Sequence, residues 1–185
     1  MRMRQHTNPL AFLDPIVAEL GNGPFVVDVG CGKGDLLLEL AKSFPAKKFV
    51  GIEIRHLMAQ LTKERLAEIP NVTILRGNAS LSMASLFKPG SVEQIFIGFP
   101  DPWMKNRYKK RTLFTPQFLE ESYEALIPKG KLFLQTDNEE LFNEIKGRFV
   151  ASKFKESAST WPDFKTYWEK LKKDNKIYKI VYQKG

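Results

Sequence analysis

Short apolar, β-branched runs alternate along this chain with segments whose apolar positions recur every three or four residues. Phe25-Val-Val-Asp-Val29 is a run of the first kind, and the leucine-rich stretch that starts at Asp35 is one of the second. This pattern predicts strands over residues 25–29, 49–54, 72–75, 94–98 and 131–135. It predicts helices over residues 35–44, 57–69, 117–126 and 139–149, with a short one near 81–87. Thr115 is placed as the N-cap of the 117–126 helix and Pro116 as its first helical residue. The strands read as near-continuous apolar runs, which marks a parallel sheet buried on both faces. The tail is less regular: 166–173 reads as a short helix, 177–182 as a final strand, and 151–162 is weakly patterned. The expected fold class is α/β and Rossmann-like, with a mostly parallel central sheet and helices on both faces.

Composition narrows the function classes. At 185 residues the chain has the length of one domain, with 43% hydrophobic residues, enough to bury a core without covalent staples. It carries one cysteine, Cys31, and two histidines, His6 and His56. That excludes an intramolecular disulfide and a His/Cys metal site, so no metal is expected. No apolar run is long enough for a membrane helix, and no apolar signal core follows the basic residues of the N-terminal arm. A cytoplasmic protein away from membranes is expected. The formal net charge of +8 favours a polyanionic partner.

The first strand runs into Asp28-Val-Gly-Cys-Gly-Lys-Gly34. Gly30, Gly32 and Gly34 form G-x-G-x-G rather than the G-x-G-x-x-G of dinucleotide folds. The N–H groups opening the next helix suit an anion, and this spacing favours the carboxylate of S-adenosylmethionine over a pyrophosphate. Glu53 ends the second strand about twenty residues on, where an acid accepts hydrogen bonds from ribose hydroxyls. After the third strand, Asn78 and the neighbouring Ala79 suit an adenine edge; Asn78 also reads as a turn residue. Asp28, Glu53, Asn78 and Asp101 all fall at or just past strand ends, where ligands of such sheets bind. Cys31 reads as a small apolar filler.

The connection over residues 99–115 is long for a compact domain, a mark of function or disorder. It holds Phe99-Pro-Asp-Pro-Trp103, then Lys105, Arg107, Lys109, Lys110 and Arg111. Tryptophan offers a stacking face for a base, and the cations form a ribbon suited to phosphates.

These residues resemble the tRNA (guanine-N7)-methyltransferases of the bacterial single-chain type. The resemblance rests on Asp28 to Gly34, Gly51-Ile-Glu53, Phe99 to Trp103 with Lys105 and Lys110-Arg111, Thr136-Asp137, and Thr166-Tyr-Trp-Glu169. It covers nearly the whole chain and implies a single S-adenosylmethionine-dependent methyltransferase domain over 1–185, with the class I fold. It implies transfer of the methyl group to N7 of a guanine in the tRNA variable loop, position 46 in tRNA numbering, leaving S-adenosylhomocysteine. By resemblance, Asp28, Glu53, Asn78 and Asp101 contact the cofactor and Asp101 is catalytic. Lys105, Asp137, Thr166, Tyr167, Trp168 and Glu169 contact the substrate; Arg107, Lys109, Lys110 and Arg111 contact RNA. Asn78 stands where the family usually carries aspartate, Met104 where proline is common, and Thr112 where arginine is common. Monomer and homodimer both stay open.

Guanine N7 already carries a lone pair, so no residue need remove a proton, and the absence of a histidine or cysteine base fits. Asp101 and Asp137, aided by Glu169, are the candidates for stabilising the cation and holding the N1–H and N2–H₂ edge. Structural readings stand beside these. Asp137 also suits a helix cap, Glu169 also suits an ion pair in a lysine-rich stretch, and Trp161, Tyr167 and Trp168 also suit a core.

Overall fold

The computed structural model describes residues 8–11, 14–103, 110–162, 169 and 176–185. Seven strands form one sheet: β1 Phe25–Val29, β2 Lys48–Glu53, β3 Val72–Arg76, β4 Val92–Gly98, β5 Leu126–Thr136, β6 Lys155–Glu156 and β7 Tyr178–Gln183. The helices are α1 Asp35–Ser43, α2 His56–Arg65, α3 Met83–Leu86, α4 Pro116–Ala125 and α5 Glu139–Val150. The sheet order is β3-β2-β1-β4-β5-β7-β6. The first five strands in that order are parallel; β7 runs antiparallel to both β5 and β6.

Alternate residues of each central strand face opposite layers. Val27, Val29, Ile95, Ile97, Leu132 and Leu134 share a buried cluster with apolar residues of α3, α4 and α5. Val26, Phe96 and Phe133 share the other with Leu36, Leu37 and Leu40 of α1 and with Trp161. All five residues of β1 are buried, which is why it reads as a continuous apolar run.

The expected elements are present, with shifted ends. The Thr115 side chain accepts from the Phe118 N–H and Pro116 opens α4, the arrangement the sequence indicates. The expected helix over 81–87 is a 3-10 turn, Ala79–Leu81, followed by α3. β5 starts five residues earlier than the apolar run, because Ile127 to Gly130 bulge out: Val92 pairs with Leu126, and Gln94 with Lys131. Pro128 and Gly130 disguise that stretch as a turn. Of the helix expected over 166–173 only Glu169 is among the described residues, and the N-terminal basic arm lies outside them.

Order reverses between β1 and β4. The chain leaves β1 toward β2 on one side and returns at β4 on the other. A crevice opens at the carboxyl ends of two such strands.

Candidate active site

A cleft of about 790 Å³ occupies that crevice. Its walls include the glycine loop, Glu53, Asn78, Asp101, Trp103 and Asp137. The β1 and β4 loops, distant in sequence, meet here because their strands are neighbours.

The loop after β1 is built by backbone geometry. Gly30, Gly32 and Gly34 have φ of 77°, 53° and 73°, the left-handed region that side chains disfavour. A Cβ on Gly34 would lie 2.8 Å from both Thr62 Cγ2 and Leu66 Cδ1, so glycine is also what lets α1 approach α2. The N–H groups of Gly30 and Cys31 donate to the Ile52 carbonyl at 2.8 and 3.2 Å. Gly34 precedes α1 without a side-chain cap, so the first turn of α1 is served by no side-chain acceptor from that position.

Glu53, only 2% exposed, ties this loop to the next one. Its Oε2 accepts from the Gly32 N–H at 3.1 Å and from Arg55 Nη2 at 2.9 Å. Its Oε1 accepts from the Arg55 N–H at 2.9 Å and from Arg55 Nε at 3.0 Å. Arg55 is pushed above its ordinary range, first by that hydrogen bond to Glu53, with the charges of Glu53 and Asp101 adding to it. Asp28 is buried, and desolvation, then the charge of Glu53, raises its pKa to about 7. Burial likewise holds the Cys31 thiol well above its usual range, in keeping with a filler rather than a nucleophile. Asn78 caps the 3-10 turn: its Oδ1 accepts from the Ser80 N–H at 3.1 Å and the Ser80 hydroxyl at 2.8 Å. Its Nδ2 donates to the Pro9 carbonyl at 3.2 Å. The turn reading of Asn78 is thus realised on the cleft wall itself, beside buried Ala79.

The opposite wall is assembled differently. Phe99, just past β4, has φ of 51°, a conformation non-glycine residues rarely hold and one concentrated at functional sites. Its N–H donates to the Gln135 carbonyl at 2.8 Å. That turn brings Asp101, Pro102 and Trp103 onto the cleft. The Arg111 guanidinium stands 5.1 Å from the Trp103 ring centroid, a cation–π distance. Lys110 is exposed, and Arg111 lines the cleft.

Asp137 lines the cleft as well, but the cap of α5 is Asn138, whose Oδ1 accepts from the Leu141 N–H at 2.8 Å. Glu169 has an ion-pair partner, as one reading of the sequence had it, though from β7: Lys179 Nζ lies 2.9 Å from Oε1. Gln135 Nε2 donates to Glu169 Oε2 at 3.2 Å. Trp161 is 7% exposed and sits edge-on to Phe96 at 5.4 Å while also lining the cleft. Its core reading therefore holds, and it lines the cleft besides. Lys105, Arg107, Lys109, Thr166, Tyr167 and Trp168 lie outside the described residues.

Arg55, Gln135 and Lys179 are parts of this arrangement that the sequence reading passes over. Arg55 had a local signal, a cation two residues beyond a strand-terminal acid. Gln135 had a weaker one, a polar residue ending an apolar strand. Among the described residues, no group of three or more His, Cys, Asp or Glu is placed to hold a metal ion. No helix among them is long and apolar enough to cross a membrane.

The residues fit S-adenosylmethionine. The glycine loop would admit its carboxylate against the start of α1. Glu53 stands at the end of β2 where a ribose would lie; its four acceptor positions are taken by Gly32 and Arg55, so a ribose hydroxyl would replace one of the Arg55 contacts, and Asp28 adds a carboxyl that a cationic ligand would draw toward ionisation.

The profile of a family described as "Putative methyltransferase" matches residues 22–179. The chain is 35% identical over 161 residues to the tRNA (guanine-N(7)-)-methyltransferase of Synechococcus sp., covering 80% of this chain and 67% of that protein. It is 32% identical to the protein of that name from Thermosynechococcus vestitus, over 87% of this chain and 81% of the other. The one from Brevibacillus brevis is also 32% identical, over 91% and 78%. Among solved structures, the fold is similar to a SAM-dependent methyltransferase from Aquifex aeolicus, with a TM-score of 0.60 at 18% identity, covering 89% of this chain and 84% of that one. It is also similar to precorrin-6y C5,15-methyltransferase from Geobacter metallireducens, with a TM-score of 0.63 at 15% identity, covering 89% and 82%.

Proposed function

The chain belongs to the tRNA (guanine-N(7)-)-methyltransferase family, and we propose that it methylates N7 of a guanine in the tRNA variable loop, position 46 in tRNA numbering. The observation that carries this reading is the meeting, in one cleft, of the glycine loop with the Asp101-Pro102-Trp103 turn and Arg111. A methyltransferase for small molecules would use the first and have little need of a cation stacked on a tryptophan.

When bound, S-adenosylmethionine supplies an electrophilic methyl group on sulfur. Asp28, Gly30, Gly32, Gly34, Glu53, Asn78 and Ala79 hold it at the ends of β1, β2 and β3. The guanine lone pair needs no activation, so the protein's work is alignment and exclusion of water. Asp101, between the two loops, contacts the cofactor and faces the positive charge that grows on the alkylated base. Asp137 and Glu169 accept from the guanine N1–H and N2–H₂ edge. Trp103 stacks on a base. Arg107, Lys109, Lys110 and Arg111 bind phosphates, giving affinity that depends on salt more than on sequence; tRNA shape then selects the guanine. Lys105 and residues 166–168 complete the substrate pocket. The reaction uses no metal, and we place the enzyme in the cytoplasm, with its tRNA.

The test is methyl-labelled S-adenosylmethionine with bulk tRNA from cells lacking N7-methylguanine. Label in RNA, with one aniline cleavage in the variable loop after reduction, is the expected result. Label without that cleavage overturns the guanine-N7 assignment. Absence of label while S-adenosylmethionine still binds points to another acceptor.

A further inference from the structure

Resting on that reading, we infer that Gln135 and Lys179 are positioning residues that orient the Glu169 carboxylate for selection of guanine over bases lacking its 2-amino group. They are direct partners across the β5–β7 ladder, and side chains of paired residues leave a sheet on the same face. That face carries Phe133 and Trp161, and Glu169 reaches it from outside the sheet. Lys179 Nζ takes one carboxylate oxygen at 2.9 Å and Gln135 Nε2 the other at 3.2 Å. Two donors on opposite oxygens fix the plane of a carboxylate as well as its place. The Glu169 side chain is 9% exposed, so this is no loose surface pair.

Gln135 is the unusual member. It is wholly buried, and its Oε1 has no hydrogen-bond partner among the described residues. A strand position between Leu134 and Thr136 is filled by methionine or leucine without leaving a buried acceptor unpaired. What glutamine adds here is its donor, and that donor points at Glu169. Trp161 closes the cluster, its ring 5.8 Å from Lys179 Nζ and its edge on the cleft wall. Gly98, on the same wall, lies across the β4–β5 ladder from Gln135. A carboxylate held in one plane beside this wall, next to Trp161, matches the parallel N1–H and N2–H₂ donors of guanine. A freely turning carboxylate does not.

The experiment compares full-length tRNA carrying guanine or inosine at the methylated position. Inosine keeps N7, O6 and N1–H and lacks the 2-amino group. Wild type is expected to prefer guanine by roughly 10- to 100-fold in kcat/KM, the range of a good edge contact. Gln135→Met and Lys179→Met are each expected to bring that ratio below about 5-fold, mostly by losing rate on guanine. Lys179→Arg, which keeps a donor, should restore most of it. Glu169→Gln combined with Gln135→Met should do no more than Glu169→Gln alone. Lys179 is partly exposed, so its variants test the idea even where Gln135→Met folds poorly. Equal loss on both tRNAs, with the ratio kept, would mean a merely structural role and overturn the proposal. So would a wild-type ratio near one. Failure of wild type to form N7-methylguanine on either tRNA would instead overturn the reading on which the proposal rests, and this proposal with it.

Discussion

The two walls of the cleft are built on opposite plans. The wall proposed for the cofactor comes from one stretch, β1 to the 3-10 turn after β3, and its loops are tied together by Glu53 to Gly32 and Arg55 and by Asn78 to Ser80. The opposite wall, proposed for the acceptor, draws Phe99 to Trp103, Arg111, Asp137 and Trp161 from separate stretches of the chain, with Gln135, Glu169 and Lys179 joined to one another beside it. The contrast teaches that a wall built from one continuous stretch can be shared by many chemistries, whereas a wall drawn from several stretches is the place to look for what distinguishes a substrate.

Substitutions on the two walls should separate these roles. The largest effect is expected at Asp101, where both meet. Asp101→Ala should lower kcat by about 10²- to 10³-fold, as for removal of one charge-stabilising group, while tRNA binding in a filter assay stays within a few-fold. Unchanged turnover would remove Asp101 from the chemistry.

On the cofactor wall, Asp28→Asn should weaken S-adenosylmethionine binding by calorimetry yet stabilise the fold. Burial raises the Asp28 pKa from 3.8 to about 7. Near pH 4 and below, the group is protonated folded or unfolded and the fold bears no penalty. As pH rises from about 4 to 7 the unfolded chain ionises freely and the folded chain resists, so wild-type stability falls across that window and levels off above it. The variant should therefore gain about 2–4 kcal/mol over wild type at pH 8 and little at pH 4. Urea melts at the two values measure it; an equal gain at both would show that charge burial is not the cause.

Smaller effects are expected on the acceptor wall away from the reacting atoms. Trp103→Ala should cost about 1–3 kcal/mol in tRNA binding through lost stacking and leave S-adenosylmethionine affinity alone. Arg111→Met should change binding least, but should flatten the slope of log affinity against log salt by about 1. If Arg111 instead altered cofactor affinity, the division between the walls would be wrong.

The same division explains what was legible beforehand. G-x-G-x-G, the acid ending β2 and the turn after β3 are local patterns at strand ends, so their convergence on one wall of the cleft could be read from spacing. The mostly parallel sheet could be expected too, from near-continuous apolar strands alternating with helices, but its strand order could not. The alternative reading of Asp137 as the cap of α5 falls one residue short of the actual cap, Asn138, because both are good caps and only geometry chooses between them. Gln135 carried only a weak signal, a polar residue ending an apolar strand, and Lys179 carried none. Their meaning comes from a pairing across β5 and β7 that periodicity does not encode.

The antiparallel insertion of β7 between β5 and β6 sets an order of events during synthesis. Strands β1 to β5 precede β6 and β7, while among the described residues β6 pairs only with β7, and Lys179 is made with β7. On the proposed reading, a nascent chain would thus complete the wall for the cofactor while Glu169 still lacked its lysine. Such a chain would hold the methyl donor before it could choose where to put it.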